Sequence, residues 1–304
     1  MSEIGATADT AADTAAERQS WFKNPWRKPY FLEGITVIYL LWSLVPVVIA
    51  VIFSFNAGRS RSAWQGFSLR WWTADPFDSL FHNPSLRQAM IQTFKLSSVA
   101  SVVAVVLGTL FAIGIDRWHG RPARGANFTM LLSFVVPEII LGVSLFLLFT
   151  QLLKNTIALG TGAQWLGLIA FQLSYPVIIV RARLLTIGPE YEEAAMDLGA
   201  TPTQAIRKAL LPLLFPAILA SFAVTFADTV DDFVTVRYLS GKADSEPLSV
   251  KIYGAARASP TPAVNAAATV MLIATLLVIV VGYLIYRRVS RGTGDSDVGS
   301  FAQL

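Results

Sequence analysis

The chain has 304 residues, 54% of them hydrophobic and only 14% charged, with a formal net charge of +4 at pH 7. Its mean hydropathy is +0.55. A soluble domain carries about 25% charged residues and cannot hide this much apolar surface, so composition excludes an ordinary globular enzyme and points to an integral membrane protein. Cysteine is absent and the two histidines, His82 and His119, are far apart. That excludes disulfides and thiol chemistry and argues against a clustered histidine metal site. No signature of an RNA-binding sheet occurs, and nucleic acid is not expected as a partner.

In chain order, residues 1–20 are rich in Ala, Thr, Asp and Glu. They offer nothing apolar to offset ordering entropy and read as a disordered tail. WFKNPWRKPYF, Trp21–Phe31, mixes aromatic and basic residues and suits a membrane interface. The expected organisation is a tail with interfacial segment over 1–33, a transmembrane body over 34–289 and a C-terminal tail over 290–304.

Crossing the hydrocarbon takes ~20 apolar residues. Six runs qualify: Ile35–Phe53, Leu96–Ile115, Phe128–Leu153, Ala163–Val180 (short, and interrupted by Pro176), Leu210–Thr229 and Ala266–Tyr286. They are continuously apolar rather than alternating, which predicts helices and not a barrel: an all-α polytopic fold. The short loop DRWHGRPARG, Asp116–Gly125, carries three arginines, and YRRVSR near the end is also basic. The positive-inside rule then puts both termini in the cytoplasm.

On that topology the polar stretch 188–212, between the fourth and fifth spans, is cytoplasmic. Pro189 fits a helix first turn, and Glu190, Glu192 and Glu193 crowd it where the helix dipole favours negative charge. Gly199 suits the left-handed residue that ends a helix. Thr201, Pro202 and Gln204 then form a capping box for a second short helix that ends near Pro212. The expectation is helix, glycine corner, helix, with Tyr191, Met196 and Leu198 as an apolar contact.

Glu193-Ala194-Ala195, three residues, Gly199, nine residues and Ala209-Leu210-Leu211-Pro212 resemble the EAA motif, with Ala209 in place of the usual isoleucine. That motif marks permease subunits of binding-protein-dependent ABC importers. FNAGRSRSAWQGFSLRWW (Phe55–Trp72), VVPEIILGVSLFLLF (Val135–Phe149), DDFVTVRYLSG (Asp231–Gly241), PLSVKIY (Pro247–Tyr253) and SPTPAVNAAAT (Ser259–Thr269) are similar to its spermidine/putrescine branch. The resemblance implies the MetI-like type I importer fold in a bacterial inner membrane. It implies a second, related permease, two cytoplasmic ATPase subunits and an external solute-binding protein as partners. It also implies that Glu192, Glu193, Ala194, Ala195, Asp197, Leu198, Gly199, Leu211 and Pro212 couple the chain to the ATPase.

Charged residues at membrane depth cost ~2.5–3.5 kcal/mol on insertion scales and are candidate functional groups. Glu138, after Pro137 in the third run, and Asp228, Asp231 and Asp232 at the end of the fifth are the candidates for a cation path. The three aspartates are spaced to share one helix face. Trp71, Trp72, Tyr238 and Tyr253 fall in outer loops, as an entry, a partner contact or an interfacial belt. No G-x-x-x-x-G-K-[ST] loop occurs: Gly241-Lys242 lacks the upstream glycine and Ala243 follows. The chain is therefore expected to be non-catalytic, with ATP and Mg held by the partner ATPase and no cofactor of its own. Alternatives are the same machine carrying 4-aminobutyrate, ferric ion or thiamine, an ATP-independent secondary transporter with broken helices and inverted repeats, or a scaffold.

Overall fold

The computed structural model describes residues 30–60, 63–117, 120–258 and 261–292. The expected tail and interfacial segment before Tyr30, His119 and the C-terminal positions beyond Gly292 lie outside them. The chain divides into two compact units, Met1–Ala50 and Val51–Leu304. Helix α1, Tyr30–Phe53, holds the described part of the first and runs into the second. Its hydroxyls bond within its own turns, Thr36 to the Leu32 carbonyl and Ser43 to that of Leu40, both at 2.8 Å. That is the arrangement a lipid-facing helix requires, since no water is available to them.

The second unit is helical, with one isolated antiparallel bridge, Asn56 to Phe67, among the described residues. Its helices are α2 (Pro84–Arg117), α3 (Arg121–Val135), α4 (Glu138–Leu147), α5 (Thr161–Gln172), α6 (Ser174–Ile187), α7 (Glu190–Asp197), α8 (Pro202–Ala205), α9 (Leu211–Asp231), α10 (Val234–Leu239), α11 (Leu248–Ala258) and α12 (Pro262–Gly292). Helix α2 packs mainly on α6 and α9. It turns Ala89, Ser97, Ala100, Ser101, Ala104, Gly108 and Ala112 inward. Small residues let membrane helices approach closely. At Gly108 the approach is so close that a Cβ would sit 2.6 Å from Cγ of Pro176.

Among the described residues, five helices are long and apolar enough to cross a membrane: Tyr30–Phe53, Pro84–Arg117, Thr161–Ile187, Pro202–Asp231 and Pro262–Arg288. The expected third span, Phe128–Leu153, is not one helix. Val136 and Pro137 are extended, at ψ 128° and 131°, and separate α3 from α4. Proline donates no N–H and pushes the residue before it out of the helical region. The apolar piece Glu138–Leu152 that follows ends in a widened π turn, Leu148–Leu152, and at ~1.5 Å per residue is too short for a ~30 Å core by itself. In the fourth span the interruption falls at Leu173 between α5 and α6, because Pro176 cannot donate to the carbonyl of Gln172.

At the end of the bundle remote from residues 188–212, Trp71 is fully buried with Leu80, Leu86, Leu248 and Met271. Its Nε1 donates to the Asn56 carbonyl at 2.6 Å. The expected entry or partner role of Trp71 is thus corrected: its indole is a core anchor. Beside it Asp75 accepts the N–H groups of Asp78 and Phe77 and pairs with Arg70, which together hold its carboxyl down to about 2.

Candidate functional site

The polar connection 188–212 begins where Gly188, at φ 73°, ends α6. Helix α7 follows with Glu190, Glu192 and Glu193 in its first turn. It closes on Gly199 at φ 87°, whose N–H donates to the Met196 carbonyl at 2.9 Å, while that of Ala200 donates to Ala195 at 3.0 Å. Both bonds satisfy carbonyls that a helix end leaves bare. The capping box forms as its spacing predicts: the Gln204 N–H donates to the Thr201 hydroxyl, and the Thr201 N–H to Gln204 Oε1.

The second helix does not end near Pro212, however. Helix α8 is one turn long, and a π turn, Ile206–Leu210, carries it directly into α9. The Leu211 N–H reaches five residues back, to Ile206. Proline at 212 cannot donate to the carbonyl four residues behind it and clashes with it in a normal turn; widening the turn relieves both. Leu210 and Leu214 then anchor the segment in a core with Val180, Leu184 and Ile187. Leu211 is half-buried and Pro212 exposed at this entry.

The nine candidate coupling residues divide by orientation. Glu193, Ala194, Asp197, Leu198 and Gly199 are exposed, Ala195 is half-buried, and Leu198 is 91% exposed beside exposed Tyr191 and Met196. Glu192 instead is buried at 3% exposure, and its carboxylate pairs with the Arg117 guanidinium at the end of α2. Arg117 also lies 3.8 Å from Asp116. Glu192 thus faces its own chain and ties α7 to α2.

The candidate path acids come from both sides of the Pro137 break. Glu138 opens α4, so its carboxylate sits at a helix N-terminus rather than inside a continuous span. Helix α4 lies against α10, where a Cβ at Gly142 would be 2.8 Å from Cδ2 of Tyr238. Asp228 of α9 accepts from Gln172 Nε2 at 2.7 Å, and the Tyr175 hydroxyl lies 3.5 Å away. Glu138 and Asp228 both lie within coulombic reach of Asp232. The expected shared face of Asp228, Asp231 and Asp232 is corrected, because α9 ends at Asp231 and Asp232 is extended. Its carboxylate accepts the Val236 N–H at 3.2 Å and so caps α10, while its carbonyl accepts from Ser249. Asp231 is exposed at the helix end.

Two polar positions beside Asp228 were not singled out in the sequence, Gln172 and Tyr175. Their signal was present: polar groups three residues apart in an otherwise apolar span. Another polar residue not singled out is Gln164, fully buried, which donates to Ser240 Oγ and the Ser245 carbonyl at 2.9 Å and accepts from Gln92 at 3.0 Å. It fastens the segment after α10 to α2 and α5.

Residues 104–295, most of the chain and all of this geometry from α6 through α11, match the model for the binding-protein-dependent transport system inner membrane component. The chain belongs to this family. Among relatives of this inner membrane component, the spermidine/putrescine transport system permease protein PotC of Haemophilus influenzae is 32% identical over 85% of this chain and 98% of its own. The putrescine transport system permease protein PotI of Escherichia coli is 31% identical over 82% and 86%. A chain of the bacterial alginate ABC transporter, solved in complex with an alginate-bound periplasmic protein, superposes with TM-score 0.67 over 86% of this chain and 94% of that one, at 19% identity. The inner membrane component fold is shared, and the chain is a transport permease subunit.

Proposed function

We propose that this chain is one of two permease subunits of an ATP-driven importer of polyamines, of the spermidine and putrescine type. The observation that carries the reading is the 188–212 connection: an EAA motif folded as helix, glycine corner and helix, in a chain similar to PotC and PotI along nearly its whole length. Both termini and this connection face the cytoplasm, where the apolar tip at Leu198 docks on an ATPase subunit that holds ATP and Mg. A second, non-identical permease completes the path, and an external solute-binding protein delivers the cargo. The body spans 34–289.

Glu138 and Asp228, with Tyr175 beside them, form the cation-selective part of the path. Carboxylates attract ammonium groups and an aromatic face adds a cation–π contact. Asp232 holds the backbone that positions them. The helix broken at Pro137 is a feature of secondary transporters as well, but that reading leaves the EAA connection unused.

The test is ATP-dependent uptake of labelled spermidine by cells expressing the whole operon, against cells lacking only this subunit. Loss of uptake with the chain supports the polyamine reading. Unchanged uptake, with an ATPase still copurifying, keeps the permease and rejects the cargo.

A further inference from the structure

At the end of the bundle remote from 188–212, a cavity of about 620 Å³ opens between the start of α2, α11 and the start of α12. Its charged wall holds Arg237, Lys251 and Arg257 against one carboxylate, Glu246. Arg237 and Lys251 share that carboxylate, at 3.4 and 2.8 Å. Arg257 lies over the ring of Tyr253, 4.5 Å from its centroid, with no carboxylate paired to it among the described residues. Ser85, in the first turn of α2, adds a helix N-terminus to the lining. The cavity thus carries an excess of positive charge that a helix N-terminus reinforces. A polyammonium cargo is repelled there, so the cavity is not a stop on the path marked by Glu138 and Asp228.

From this charge arrangement we infer that the cavity receives an acidic side chain from the external solute-binding protein, and that Arg257 is its principal contact. The inference rests on the importer reading above. An exposed guanidinium held over an aromatic ring is restricted in position and keeps its donors open for two-point pairing with a carboxylate. Arginine and tyrosine are also the residue types that dominate binding energy at protein interfaces. A free small anion gains little here, because the side chain of Arg237 is 55% exposed and screened by water. An acid carried on a protein surface is positioned by the rest of the interface and gains both orientation and association rate from such a cluster.

The test uses the whole complex in nanodiscs with the purified binding protein. Arg257→Glu is expected to raise the Kd of the binding protein by ~10-fold or more and Arg257→Gln by roughly 3-fold, with the salt dependence of binding reduced in both. Basal ATPase activity and the copurified permease partner stay unchanged. An unaltered Kd in both variants overturns the inference. So does loss of the permease partner, which assigns the cavity to the interface between permeases, or a Kd that follows the content of anionic lipid instead of residue 257. Competition by free succinate at millimolar concentration, with the binding protein unaffected by Arg257→Gln, assigns a small-anion site and also overturns it. A wild-type complex whose ATPase ignores the binding protein fails the importer reading itself, a result distinct from all of these.

Discussion

The connection 188–212 and the connection 232–261 both join two long helices through short ones, and they are built on opposite plans. In the first, the buried charge turns inward, Glu192 to Arg117, and the outer surface carries the apolar tip of Tyr191, Met196 and Leu198 beside exposed Glu193 and Asp197. In the second, the apolar residues go inward, Val236, Leu239, Leu248 and Val250 into the core, and charges line the open cavity. An apolar tip on a braced helix suits a contact that must transmit force, since packing is stiff and short in range. A charged cavity suits a contact that must form and release, since charge steers encounter without demanding tight packing.

The sharpest way to break the comparison is to remove the inward charge. Arg117→Glu leaves Glu192 buried without a partner and adds repulsion, a cost on the order of 2–3 kcal/mol in anchoring α7. It is expected to abolish ATPase copurification, and the swap Arg117→Glu with Glu192→Arg is expected to restore much of it. A single variant that copurifies normally would falsify the brace. Next in size are Asp228→Asn and Glu138→Gln, expected to lower spermidine uptake roughly 3- to 10-fold each while the complex assembles as before, given what intramembrane acids contribute to ion paths. Unchanged uptake kinetics in both variants would remove these acids from the path. Smallest is Gly199→Ala. Space around its Cβ is open, but φ 87° is strained for a side chain, costing ~1 kcal/mol in the corner. ATPase docking should weaken about 5-fold and Gly199→Asp should weaken it at least as much; full docking by both would show that the corner tolerates other geometries.

The two connections also differ in how far the sequence reveals them. In 188–212 each device is local: the glutamates of the first turn, Gly199 and the Thr201–Gln204 box act within a few residues, and all were readable. What was not readable is which glutamate turns inward, because the partner of Glu192 lies 75 residues away. The long helices followed from hydropathy, but hydropathy runs unbroken through Pro137 and hides the division of the third run. The grouping of Glu138 with Asp228 and the grip of Gln172 on Asp228 depend on the packing of α4, α5 and α9, whereas the capping of α10 by Asp232 is local, four residues apart, and was hidden only by reading Asp232 as part of the helix before it. The basic cavity depends on three helix ends meeting, and no spacing of residues 237, 251 and 257 announces it.

The π turn at Ile206–Leu210 has a consequence for register. A π turn is an α-helix carrying one extra residue, and each residue of an α-helix advances ~100° around the axis. Removing one residue between 206 and 210 would put Pro212 back into a normal turn, with its missing bond and its clash, and would keep the order of every side chain beyond it. It would also swing α8, and with it Leu198, about a quarter turn around α9. The chain would be as apolar as before, with its exposed tip at Leu198 aimed at a different bearing. The single surplus residue therefore works as an angular setting between the exposed 188–199 corner and the long helix α9.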